Sequence, residues 1–93
     1  MMPEGTEAAF ERIAGIVERV TFHNEQNGFC VLRLKVKGER ELVTLIGHTP
    51  AVTPGEYASA SGQWATDREH GRQFKARPQQ RRALECQGLQ LLL

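Results

Sequence analysis

No stretch of this 93-residue chain is long and apolar enough to cross a bilayer, which excludes a membrane-spanning helix. The opening Met1-Met2-Pro3-Glu4-Gly5 is acidic and has no apolar segment, so it carries none of the marks of a secretory leader. The cytoplasm is the expected compartment. Cysteine is scarce: Cys30 lies within an apolar run and Cys86 in a polar tail. In a reducing compartment neither is expected to bridge, and Cys30 reads as a small buried apolar residue. His23, His48 and His70 are far apart, with no H-x-x-x-H or C-x-x-C spacing, so no metal site is expected. No G-x-x-x-x-G-K-[ST] loop is present to cradle a triphosphate, and no Ser or Cys sits on a nucleophile turn. On these grounds the chain by itself is not expected to be an enzyme. Only six residues are aromatic.

What the chain does have is strand patterning. Between Gly15 and Ala76 five β-type runs and their turns follow one another at short spacing. The first is expected over Arg12–Phe22, with Ile16, Val20 and Phe22 on one face. Gly15 and Val17 break that alternation and point to a bulge or bend. The second, Phe29–Lys37, alternates most clearly. Cys30, Leu32, Leu34 and Val36 take the core side, and Val31, Arg33, Lys35 and Lys37 the other. Glu41–His48 is a third run rich in apolar residues, Leu42, Val43, Leu45 and Ile46 among them. The fourth, Glu56–Thr66, turns the small Ala58, Ala60 and Gly62 inward together with Trp64, as a tightly coiled strand requires. The fifth, Gly71–Arg77, has Phe74 and Ala76 inward and Lys75 and Arg77 outward.

The connection Thr49–Gly55 holds two prolines and is too short for a helix. The resulting expectation is an all-β, five-stranded antiparallel OB-fold-like barrel that lacks the helix between strands three and four. Residues 1–11 form a flexible lead-in, residues 12–77 the domain, and residues 78–93 a tail that is loose or a short amphipathic helix.

Charge is unevenly spread under a net of +1. Residues 1–11 carry three glutamates and no base. Residues 66–82 carry six bases against two acids, a net of +4 that can attract phosphate. An OB barrel holds its ligand across strands two and three, between the first and last hairpin turns. Those turns are His23-Asn24-Glu25-Gln26-Asn27-Gly28 and Asp67-Arg68-Glu69-His70-Gly71-Arg72, both polar. Single strands are gripped by cationic grooves with aromatic platforms. The candidate nucleic-acid contacts are therefore Asn24, Phe29, Arg33, Lys35, Lys37, Tyr57, Arg68, His70, Arg72 and Lys75, with Phe22, Trp64 and Phe74 assigned to the core. An ordinary solvated strand face would account equally well for Arg33, Lys35 and Lys37, and Asn24, Asn27-Gly28 and His70-Gly71 fit plain turn chemistry.

The run from Gly15 to Leu32, with Phe22-His23-Asn24-Glu25-Gln26-Asn27-Gly28-Phe29 at its centre, resembles the opening of RecD-like ATP-dependent DNA helicases (the RecD/TraA family). So do Val43-Thr44-Leu45-Ile46-Gly47-His48, Pro54-Gly55-Glu56, Gly62-Gln63-Trp64 and Asp67–Ala76. The resemblance covers about Ile13–Ala76 and implies an N-terminal OB-type domain that precedes helix-hairpin-helix elements and two motor domains. It implies ATP and magnesium for those motors and no cofactor for this chain. The implied partners are single-stranded DNA and the helicase motor, without a membrane, in DNA unwinding, recombination or repair. The tail after Pro78 does not resemble the family's continuation. A structural or protein-interaction module packed on the motor or on a partner protein is the competing reading, since the same barrel serves both roles.

Overall fold

The computed structural model describes residues 10–69, 71–77 and 83–87. The lead-in through residue 9, His70 and most of the tail lie outside the described residues. Six strands follow in order: β1 Glu11–His23, β2 Phe29–Val36, β3 Val43–His48, β4 Tyr57–Asp67, β5 Gly71–Ala76 and β6 Leu84–Cys86. There is no helix among the described residues, including the proline-interrupted connection between β3 and β4.

The strands pair in the order β1-β2-β3-β5-β4, and the long β1 also pairs with β4, so five strands close into a ring. All its pairings are antiparallel except β3 with β5, which is parallel. This corrects the wholly antiparallel expectation, and the reason is arithmetic: an odd number of strands cannot alternate direction all the way round a closed ring. A further departure is β6, which adds to β4 through Ala58↔Cys86, Ser59↔Glu85 and Ala60↔Leu84. Where a loose tail or short helix was expected, the described part is a strand. Its Ala83 and Leu84 are buried.

The interior follows the alternation of β2 and β4. Leu32, Leu34, Cys30, Leu45, Phe74 and Ala58 are fully enclosed, and Ala60 nearly so. Val36 and Trp64, expected inside, are partly buried and pack on the edge of this core. Small residues on β4 let the ring close tightly. At Gly62 the opposing strand comes so near that a Cβ would collide with the Lys75 carbonyl.

In β1 the expected register fails. Ile16 is 40% exposed and Phe22 49%, while Val17 is buried at 1%. Ile16 faces out and Val17 in from the start of the β2 pairing; the bulge between Val17 and Arg19 then lets Val20 pair with inward Leu32, and the one between Val20 and Phe22 turns Phe22 outward. Val17 then pairs with inward Leu34, and Phe22 pairs with outward Val31.

The β1–β2 turn closes one end, beside the end of β3. In the β1–β2 turn the Asn24 side-chain oxygen accepts from the Gln26 and Asn27 amides at 2.8 and 3.2 Å, and the Gly28 amide donates to the Asn24 carbonyl at 2.7 Å. Gly28 has φ of 81°, a conformation that glycine adopts without strain. His23 Nε2 donates to the Thr49 carbonyl at 2.8 Å, and the Thr49 amide donates to the Gly28 carbonyl at 2.8 Å. The turn is thereby tied to the end of β3.

Candidate nucleic-acid interface

The outward sides of β2, β3 and β5 share one surface. Register places Phe29 beside His48, Val31 beside Ile46 and Arg33 beside Thr44, and then Thr44 beside Gln73 and Ile46 beside Lys75. Three adjoining cavities run across this surface. A cavity of about 470 Å³ is bounded by Phe10, Phe29, Ile46, His48, Lys75 and Arg77. The middle one, about 350 Å³, lies among Thr21, Val31, Arg33, Thr44, Ile46 and Gln73. The third, about 270 Å³, is enclosed by Arg33, Glu39, Glu41, Thr44, Trp64 and Arg72. Ile46 borders both the first and the second, and Arg33 and Thr44 border both the second and the third, so the three lie side by side and together form a groove.

Its first end is aromatic. Phe22 and Phe29 have ring centroids 5.9 Å apart with planes tilted by 57°, and Phe29 meets His48 edge-on at 5.6 Å. The guanidinium of Arg77 lies 4.0 Å from the centre of the Phe10 ring. Phe10, Phe29 and His48 thus line this end beside the positive Lys75 and Arg77, with Phe22 packed on Phe29. Rings and cations so combined are of the kind on which bases stack while phosphates find counter-charge. At the other end the Arg72 guanidinium sits 3.7 Å over the Trp64 ring and pairs with Glu39 at 3.6 Å. The indole is itself fixed: Trp64 Nε1 donates to Glu11 at 3.1 Å, and its ring meets Phe74 edge-on at 5.1 Å. Four bases and two acids line the whole groove, a net of +2, and both acids are at the Trp64 end.

Of the residues singled out in the sequence, the groove gathers Phe29, Arg33, Arg72 and Lys75. Lys35 and Lys37 do not join it. Pairing of β2 with β3 stops at Leu34, and Lys35 stands instead beside Ile16 of β1. Tyr57 is on the same distant side, opposite Ile16 from β4. Asn24 spends its side-chain oxygen on its own turn. Arg68 is exposed on the β4–β5 turn, where the Asp67 carboxylate accepts from the Glu69 amide at 3.1 Å. His70 is outside the described residues.

Sequence reasoning missed Phe22, placed in the core, and His48, weighed only as a metal ligand. It also left out Phe10 and took Arg77 merely as part of a basic run. The skipped beat at Gly15 and Val17 was the available signal for Phe22, because a bulge there puts the face of every later residue in β1 in question.

The sequence matches the family model for the OB-fold domain of the ATP-dependent DNA helicase YrrC over residues 10–83. The chain belongs to that family. The matched region takes in all five strands of the ring and stops just before β6. Comparison with curated proteins and with solved structures finds no significant match. The family agrees with the all-β ring and gives the chain its setting: it is a domain of the kind found in a DNA helicase.

Proposed function

We propose that this chain is the accessory single-stranded-DNA-binding domain of a RecD-like ATP-dependent DNA helicase, holding the strand close to the motor. The observation that carries the reading is the groove across β2, β3 and β5, where Phe29 and His48 adjoin Lys75 and Arg77 and the exposed Phe22 packs on Phe29. Stacking on rings tolerates any base and cations follow the backbone, so the expected binding is weakly sequence-dependent and sensitive to salt. The chemistry of ATP hydrolysis belongs to motor domains and is assigned to none of these residues.

A fluorescent oligothymidylate titrated with the 93-residue chain tests this. Binding should occur at low salt, and Phe22→Ala or Phe29→Ala should each weaken it by about 1–3 kcal/mol, the worth of one stacked base. Wild-type affinity in the double Phe variant would remove the groove from the DNA path. A second reading, docking onto protein, draws on Ile16 and Tyr57, which are paired across β1 and β4 and are 40% and 39% exposed. DNA binding that survives Ile16→Ser and is lost in the Phe variants favours the groove.

A further inference from the structure

The Trp64 end of the groove is built differently from the aromatic end. Arg33 lines two of the three cavities, and its Nε is buried without a hydrogen-bond partner. A guanidinium donor shut away from water and left unmet is costly unless something fills the adjoining space. Directly opposite Arg33 in the β1–β2 register stands Arg19, and like charges facing each other across a strand pair repel. An anion between or above them would relieve both costs. Arg72 supplies a further fork of donors, held flat by the Trp64 ring.

The cavity nevertheless carries its own carboxylates. Glu39 pairs with Arg72 at 3.6 Å, and Glu41 lines the same space, so its two arginines are balanced by two acids. We propose that Arg33 and Arg72, with Arg19 beside them, form a phosphate subsite, and that Glu39 occupies it in the free domain as an internal competitor. This deepens the single-strand reading and rests on it for the source of the phosphate. The Glu39 carboxylate meets Arg72 through one oxygen at 3.6 Å, leaving donors of the guanidinium fork to which a phosphodiester could bind more closely. Phosphate enters by displacing Glu39, whose side chain is exposed enough to swing into solvent. Such an exposed ion pair is weak, so the competition sets affinity by a small factor instead of closing the site.

The test follows the arginine Nε–Hε signals by ¹⁵N NMR in the wild-type chain and in Glu39→Gln. Each is titrated first with inorganic phosphate and separately with a short oligothymidylate. The Arg33 and Arg72 signals should shift with phosphate, and Glu39→Gln should lower the apparent Kd by about two- to fivefold, the range an exposed ion pair can supply. Glu85→Gln, on β6 and outside the groove, should titrate like wild type. Arg33 and Arg72 signals that stay still, or a Glu39→Gln curve that overlays wild type, would overturn the subsite. The two readings fail separately. Oligothymidylate that moves the Phe22 and Phe29 rings but neither arginine keeps the strand-binding reading and refutes the subsite. Phosphate that moves both arginines in a chain to which the oligonucleotide does not bind upholds the subsite and refutes the strand.

Discussion

Cys30 shows how burial sets chemistry one residue at a time. Its side chain is fully enclosed, and loss of hydration pushes the thiol up to about 11 from an ordinary 9.0, with the nearby Cys86 adding to the rise and a Gly47 backbone hydrogen bond opposing it. The unfolded chain therefore loses this proton first. The stability contributed by a neutral buried thiol is present in full below about pH 9 and is lost as pH rises toward about 11. Urea melts across that window should show a steeper decline in wild type than in Cys30→Ala, and parallel declines would count against the burial. Cys86 is half-buried and also raised, first by burial, with a hydrogen bond from Thr49 opposing. Phe22 makes the complementary point: although its apolar ring fits an inward position in the local pattern, the bulged strand leaves it 49% exposed.

Among the elements, β1 and β6 carry the most information. The 13-residue β1 pairs with β4 over Glu11–Ile16 and with β2 over Gly15–His23, its two bulges lying in the part paired with β2, and this double pairing is how the ring closes. Closure brings β4 and β5 into tight approach at Gly62. A Gly62→Ala variant must push the Lys75 carbonyl away and should lose about 1–3 kcal/mol in chemical denaturation, as overpacked sites do. An unchanged midpoint would mean that the strands are farther apart than described. The short β6 buries Leu84 at 4% exposure against the core. Leu84→Ala should cost about 2–5 kcal/mol, the range for a buried leucine, whereas a dispensable tail would tolerate it. Thermal melts of the two states distinguish these outcomes.

For the whole molecule, the groove's charge arrangement predicts how binding responds to salt. Affinity for a single strand should fall with a log–log slope of about −0.7 for each phosphate neutralised. Lys75→Ala with Arg77→Ala should shallow that slope and weaken all sequences alike, because phosphate contacts carry little base information. Phe22→Ala should lower affinity and leave the slope in place. A slope unchanged by loss of both cations would put the backbone elsewhere on the surface, with Arg68 on the β4–β5 turn the next residue to replace.

Local pattern alone determined the five strands of the ring, the short helix-free connection after β3, and the inward sets on β2 and β4. Strand alternation repeats every two residues and needs no distant partner to be read. The β1–β2 turn around Asn24–Gly28 was legible for the same reason, since turn chemistry is local. The face of β1 was not, because a bulge is fixed by the strand paired against it. Nor was β6, a three-residue strand that exists only because β4 offers it an edge. The groove belongs wholly to the tertiary level. Glu39 and Arg72, Glu11 and Trp64, Phe10 and Arg77 are each far apart in sequence and meet only when the ring closes. Closure sums small contacts from five strands into one charged and aromatic surface, and no window along the chain contains that sum.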